Sequence, residues 1–142
     1  TYFNQSAHDS IIVVTPEPTS ITDAYALIKI LSQNYRIKRF QILINQVRDK
    51  NEGISVYKNL TKVADSFLDV SLNYLGHLET AREVGKAVRR QQAALLAAPR
   101  SLFARRIIEL AQKVAALPVN TEHSGNPGFF WRQLFAGMAE NN

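Results

Sequence analysis

Few residues of this 142-residue chain have the types and spacing that chemistry requires. The three histidines, His8, His77 and His123, lie far apart and show no metal-ligand spacing. His77 falls at the end of a predicted strand, where ligands commonly bind, but a histidine satisfied by structural hydrogen bonds is the preferred reading. No G-x-S-x-G elbow presents a nucleophile. Glu17 and Asp23 can meet near one loop, although acids in such places usually cap a helix or face water. The only Gly-Lys pair is Gly85-Lys86, within "REVGKAVRR". A phosphate loop needs G-x-x-x-x-G-K-[ST], so that backbone N–H groups surround the phosphates and a hydroxyl reaches the metal. Here Thr80 replaces the first glycine and Ala87 replaces the hydroxyl residue, and the segment reads as helix throughout. It is not a phosphate loop. The absence of cysteine excludes disulfides, thiolate chemistry and cysteine-bound zinc, and fits a reducing compartment.

Two other features invite a functional reading. The net charge is +5, and it is unevenly placed. Residues 82–117 carry Arg82, Lys86, Arg89, Arg90, Arg100, Arg105, Arg106 and Lys113 against only Glu83 and Glu109. Such a patch can meet phosphates, an anionic membrane or an acidic protein, or it can be a solvated helix face. The second feature is the closing "GNPGFFWRQLFAGM", residues 125–138. Read as a helix from Phe129, it stacks Phe130, Leu134 and Met138 on one stripe, with Trp131 and Phe135 beside it. A helix of about 12 residues is about 18 Å long, too short to span hydrocarbon but suited to lie in an interface. Folding back onto the domain is the alternative.

The elements that position these residues follow from hydrophobic periodicity. "SIIVVT" (10–15) reads as a strand buried on both faces, stopped by "PEP". Ile21, Ala24, Tyr25, Ile28 and Leu31 then fall at helical spacing, with Ser20 and Asp23 as a capping box. "FQILINQV" (40–47) reads as a second strand. Ile54, Tyr57, Leu60, Val63, Ala64 and Phe67 form the face of a second helix. "DVSLNYLGHL" (69–78) alternates as a strand covered mainly on one side. Residues 82–92 and 100–117 read as helices divided by Pro99, and "VNTEHSGNPG" after Pro118 as a linker. With 46% hydrophobic residues and no apolar run of membrane-spanning length, this is an α/β domain. Strands spaced by helices imply crossovers and a mainly parallel sheet, with flanking helices. Any ligand then belongs at the carboxyl ends of the strands, the loops "TPEPTS", "NQVRDK" and "GHLETA".

These segments resemble a known family. "VVTPEPTSITDAYALIKIL" (13–31), "INQVRD" (44–49), "FLDVSLNYLG" (67–76) and "VGKAVRRQQ" (84–92) are similar to the MinD/ParA-type P-loop ATPases, above all the flagellar-number regulator branch called FlhG or FleN. The match is to the second half of that family's sequence. It implies residues 1–117 as the C-terminal half of a MinD-like ATPase domain, 118–128 as a flexible linker, and 129–140 as an amphipathic membrane- or partner-binding helix. The family's lysine loop, switch regions and metal-binding aspartate precede the part matched here. "TYFNQSAHDS" resembles the helix that follows that aspartate.

The resemblance also implies a site. Asn45 matches the asparagine that hydrogen-bonds the adenine edge, for which an amide supplies both donor and acceptor. Arg48 belongs to the same base-side loop and can flank the ring. Pro16, Glu17 and Pro18 match the loop bordering the pocket and the dimer face. Taken as residues alone, Asn45 reads instead as a turn former ending a strand. One departure stands out: where the family usually has G-x-x-P-x-D after this strand, Gly76 is followed by Glu79 and Ala81 in place of the proline and aspartate.

By this resemblance the intact protein binds ATP or ADP with Mg2+, and it cycles between monomer and membrane-associated homodimer. It controls flagellar number and placement through flagellar assembly or regulatory proteins. It is cytoplasmic and peripheral to the inner membrane, held there by Phe129, Phe130, Trp131, Leu134, Phe135 and Met138. This chain alone is expected neither to hydrolyse ATP nor to hold it tightly, because phosphates and magnesium supply most of the affinity. The alternative is a non-catalytic protein-binding module that has lost the phosphate site. Nucleic acid ranks last as a partner, since no stacking or groove-reading motif accompanies the basic charge.

Overall fold

The computed structural model describes residues 9–118. Apart from Pro118, the linker and tail helix expected at 118–128 and 129–140, with Phe129, Phe130, Trp131, Leu134, Phe135 and Met138, lie outside the described residues, as do His8 and His123. The elements run β1 (Asp9–Val14), α1 (Pro18–Tyr35), β2 (Arg39–Val47), α2 (Lys50–Phe67), β3 (Ser71–Glu79), α3 (Arg82–Arg89), α4 (Ala94–Ala97) and α5 (Leu102–Ala115). The strands form one sheet in the order β1-β2-β3, and both pairings are parallel. This is the α/β sheet with flanking helices that the alternation of patterns implied.

Register begins with a charge pair. Asp9 lies opposite Arg39, and the guanidinium donates two bonds of 2.9 Å to the two carboxylate oxygens. A bidentate fork of this kind fixes position as well as adding energy. Beyond it, Ile12 and Val14 of β1, Phe40, Ile42 and Ile44 of β2, and Leu72 of β3 point to one face. There they meet Ala24, Ile28 and Leu31 of α1 and Val56, Leu60 and Ala64 of α2. Phe40, Ile42, Ile44, Leu60 and Val14 are fully excluded from water. The opposite face is covered only in part: α5 packs on β3, where Leu75, Leu78 and Leu110 form a second small cluster with Leu43, Phe103 and Ile107 around it.

That partial cover changes two expectations. β1 is buried on one face rather than two, because Ile11 and Val13 are 43% and 56% exposed on the side α5 does not reach. β3 changes character along its length. It alternates up to Tyr74, then Leu75, Gly76, His77 and Leu78 are all buried, since α2 lies on one side and α5 on the other. A register shift makes this possible: Ile42 pairs Tyr74 but Leu43 pairs Gly76, so Leu75 is an extra residue that re-aims the strand. Gly76 has φ +155°, and a Cβ there would stand 2.7 Å from Leu110 Cδ2. Only glycine admits α5 at that distance.

The helix ends also differ from the pattern. α1 starts at Pro18, a residue suited to the first helical position because it has no N–H to satisfy. Its N-cap is Glu17, without a side-chain bond. The expected Ser20–Asp23 capping box does not form. Ser20 Oγ instead accepts from the Thr15 N–H at 3.0 Å and so closes the loop leaving β1. At α2 a related arrangement forms one loop later: Asp49 Oδ1 caps the helix by accepting the Glu52 N–H, and Glu52 reaches back past the cap to accept the Arg48 N–H. Within α2 the buried line is Gly53, Val56, Leu60 and Ala64. Val63 and Phe67, expected on that line, are 43% and 74% exposed; they fall beside the line that Leu60 and Ala64 bury. The helix expected over 82–92 stops at Arg89, and Gln91 takes φ 54°. The chain breaks there, ahead of Pro99, and a single turn, α4, intervenes before α5.

Candidate functional site

The three parallel strands deliver their carboxyl ends to one edge. The first loop carries Pro16, Glu17 and Pro18. An open cleft of about 420 Å³ runs beside it, lined by Thr15, Glu17, Thr19, Ser20, Asp23 and Leu27 among others. Glu17 and Asp23, separated by six positions in the chain, therefore face one space. Pro16 is half-buried, whereas Glu17 and Pro18 are exposed.

At the end of β2 the backbone leaves the ladder. Ile44 pairs His77, but pairing resumes only at Val47 with Glu79. Asn45 and Gln46 span the irregularity, and Gln46 takes φ 59°. Asn45 is half-buried, and its Oδ1 accepts the Gln46 N–H at 2.9 Å. That bond supports the left-handed turn, as the turn-forming reading anticipated. It uses the amide's acceptor and leaves its NH2 without a hydrogen bond to the described residues. Arg48 follows. Its guanidinium Nε donates to Glu52 Oε1 at 3.0 Å while the side chain stays 84% exposed. Such a pair contributes about 0.3–0.5 kcal/mol, so Arg48 is lightly tethered and able to swing.

At the end of β3 a buried polar chain appears that the sequence alone did not reveal. Tyr74 Oη lies 2.9 Å from His77 Nδ1, and His77 Nε2 lies 3.2 Å from Glu79 Oε1. Arg106, from α5, donates to both Glu79 oxygens at 3.1 and 3.4 Å, and to Glu109 Oε2 at 3.4 Å. One proton arrangement satisfies every member with a neutral imidazole: the tyrosine hydroxyl donates to Nδ1, and Nε2–H donates to the carboxylate. Burial raises the Tyr74 hydroxyl above its ordinary pKa, with Glu79 adding to the effect and Arg106 opposing it. For Glu79, burial pushes upward, but the Arg106 bond, a backbone N–H and His77 outweigh it, leaving the carboxyl below its ordinary range. The same pairing with Glu79 raises Arg106. His77, 8% exposed, is thus tied at both nitrogens and sits against Gly53 of α2, where a Cβ would be 3.1 Å from the His77 Cβ. It is a structural histidine. Tyr74, His77 and Glu79 share one strand, but Arg106 joins from 27 positions beyond Glu79, which is why no local spacing announced the chain.

The Glu79–Ala81 turn sits next to the end of β2 through a Thr80 N–H bond to the Val47 carbonyl at 2.9 Å. The ends of β2 and β3, with Asn45, Glu79 and Ala81, thereby lie along one edge. Around the turn, however, Asn45 lines neither cleft: one of about 280 Å³ is lined by Glu79–Glu83 with Leu102 and Phe103, one of about 500 Å³ by residues including Tyr74, His77, Arg106 and Lys113. Gly85 and Lys86 lie exposed within α3 and form no phosphate cradle. The edge carries polar donors and acceptors, and among the described residues no phosphate cradle. Nor does any group of His, Asp and Glu among the described residues have the arrangement to hold a metal ion.

Comparison with known proteins gives this geometry its class. No family model matches the chain. A solved structure of the MinD cell division protein of Aquifex aeolicus superposes with a TM-score of 0.57 at 18% identity, over 84% of this chain and 48% of that one. The fold is therefore part of a MinD-like, P-loop NTPase-type α/β domain. The antiactivator FleN of Pseudomonas aeruginosa is 42% identical over 132 residues, 93% of this chain and 47% of FleN. The flagellum site-determining protein YlxH of Helicobacter pylori is 34% identical over 129 residues, 87% of this chain and 43% of YlxH. The chain belongs to the flagellar-regulator (FlhG/FleN) branch of the MinD/ParA-type family, and it spans about half the length of the curated relatives it matches. Among the described residues no helix is long and apolar enough to cross a membrane.

Proposed function

We propose that this chain is the C-terminal part of a MinD-like ATPase that regulates flagellar number and placement. In the intact protein it supplies the base side of an ATP–Mg2+ site and a membrane-addressing tail. The protein cycles between a monomer and a membrane-associated ATP homodimer, and engages flagellar assembly or regulatory proteins. The observation that carries the reading is the 42% identity to FleN over nearly the whole chain. It is supported by the position of Asn45, whose free NH2 and neighbouring Arg48 stand at the carboxyl edge of the sheet, where parallel α/β folds bind ligands. Bound there, ATP would find Asn45 and Arg48 for its base; its phosphates and magnesium need residues from elsewhere in the protein.

Two experiments test this. Purified chain is expected to show no magnesium-dependent ATP hydrolysis; robust turnover abolished by Asn45→Ala would overturn the division of labour. Liposome co-sedimentation should pellet the chain, but not a version ending at Pro118; equal pelleting sinks the membrane-addressing tail. A second reading, a protein-binding module without ATP chemistry, is favoured by the engagement of Glu79 with His77 and Arg106 where the family has a proline. A natural reading frame that carries a lysine-bearing glycine loop upstream of these residues decides for the ATPase.

A further inference from the structure

The stretch from Arg82 to Arg105 is folded but scarcely buried. Only Ala87 and Ala104 within it are fully covered, and α4 buries no residue. Val88 is 69% exposed, Leu96 84% and Leu102 48%, each on a different helix of the arm. The same stretch carries Arg82, Lys86, Arg89, Arg90, Arg100 and Arg105, none of which forms an ion pair among the described residues. The two remaining cations of the basic cluster are committed: Arg106 to Glu79 and Glu109, and Lys113 Nζ to the Leu75 carbonyl at 3.1 Å. The charge thus sorts into a structural pair and a free set, and along the chain the free set is interleaved with the bared apolar groups. At the base of the arm the cleft of about 280 Å³ opens between Glu79–Glu83 and the pair Leu102–Phe103, so its rim carries the carboxylates of Glu79 and Glu83 beside Arg82.

We propose that this arm, α3–α4 with the start of α5, is a docking surface for an acidic amphipathic segment of another protein. An apolar side chain of the partner enters the cleft against Leu102 and Phe103, neighbouring ones cover Val88 and Leu96, and flanking carboxylates meet the free arginines. Apolar anchors in a hollow, ringed by charge, are how a small surface gains both affinity and choice of partner. A bilayer is the poorer fit. Interfacial helices present one continuous apolar stripe, whereas here the apolar groups are divided among three pieces by the turns at Arg90–Gln91 and Ala98–Arg100. The proposal needs no nucleotide and is independent of the ATPase reading.

The test uses the full chain and a fluorescein-labelled designed peptide with leucines on one stripe and glutamates beside it. Its lysine-for-glutamate counterpart and phosphatidylglycerol vesicles serve as the other arms. The acidic peptide should bind saturably, weaken as salt rises, and lose about tenfold or more in affinity with Val88→Asp/Leu96→Asp. The charge reversal Arg89→Glu/Arg90→Glu, at fully solvated positions, should cost a similar factor with an unchanged circular dichroism spectrum. Failure of the acidic peptide to bind, equal binding of the lysine peptide, or equal affinity of both variants overturns the proposal. Vesicle binding that these variants abolish, without peptide binding, also overturns it and assigns the surface to lipid.

Discussion

Gly76→Ala is the sharpest probe of how β3 meets α5. Two costs add. The backbone at φ +155° is one that side chains rarely adopt, and holding a residue in such a region costs about 1–3 kcal/mol. The new methyl would also stand 2.7 Å from Leu110 Cδ2, and overpacking of that kind costs about 1–3 kcal/mol. Leu110 keeps 8% exposure at the rim of its cluster, so its tip has some room to yield. The lower half of each range then applies, for a total of about 2–4 kcal/mol, or a fall in melting temperature on the order of 10 °C. Urea titration followed by circular dichroism measures it, provided the slope of the transition is unchanged. The cause is isolated by adding Leu110→Ala. Alone, that change should cost about 2–4 kcal/mol for lost packing and the cavity left. Together, the alanine methyl has space, so the pair should cost at least about 1 kcal/mol less than the sum of the singles. Additivity to within about 0.5 kcal/mol, the behaviour of independent sites, would refute the close approach as the reason for the glycine.

The polar chain at the end of β3 makes a pH prediction. The Glu79 carboxyl is held below its ordinary range in the folded chain, so it adds stability above the unfolded value near 4.5. That stability is lost as pH falls through the lower folded value; Glu79→Gln should flatten the acid limb of a melting-temperature profile, and an unchanged limb would contradict the assignment. Leu60→Ala, at a site fully excluded from water, should cost about 2–5 kcal/mol. Phe67→Ala, 74% exposed on the same helix, should stay within about 0.5 kcal/mol; urea midpoints of the two variants compare them directly.

The sheet was legible because its signals are local. "SIIVV" and "FQILINQV" are apolar runs of strand length, and the helices between them force parallel pairing. The errors share a cause, which is that periodicity counts residues without knowing where a neighbour ends. It placed Val63 and Phe67 on the buried line of α2, although that line runs through Val56, Leu60 and Ala64. It read β1 as covered on both sides because Ile11 and Val13 are apolar, although α5 packs chiefly on β3 and leaves them exposed. Pro18 outcompeted Ser20 as the signal for the start of α1, and the serine went to the loop instead. At the candidate site, Asn45 was found through resemblance, and the turn it supports was legible from its type. The Tyr74–His77–Glu79–Arg106 chain was not, since its last member comes from a helix that only the fold brings alongside.

The outer edge of β1 has a consequence for handling the chain. Among the described residues β1 pairs on one side only, and between Ser10 and Val14 it carries neither charge nor proline. Six residues at about 3.3 Å each give a preformed template about 20 Å long. During refolding from denaturant, addition of a strand from another molecule competes with closure of the chain on itself, and only the first is second order in protein. Refolding yield should therefore fall as concentration rises, with Asp9, held by Arg39, the one charged residue to blunt that edge.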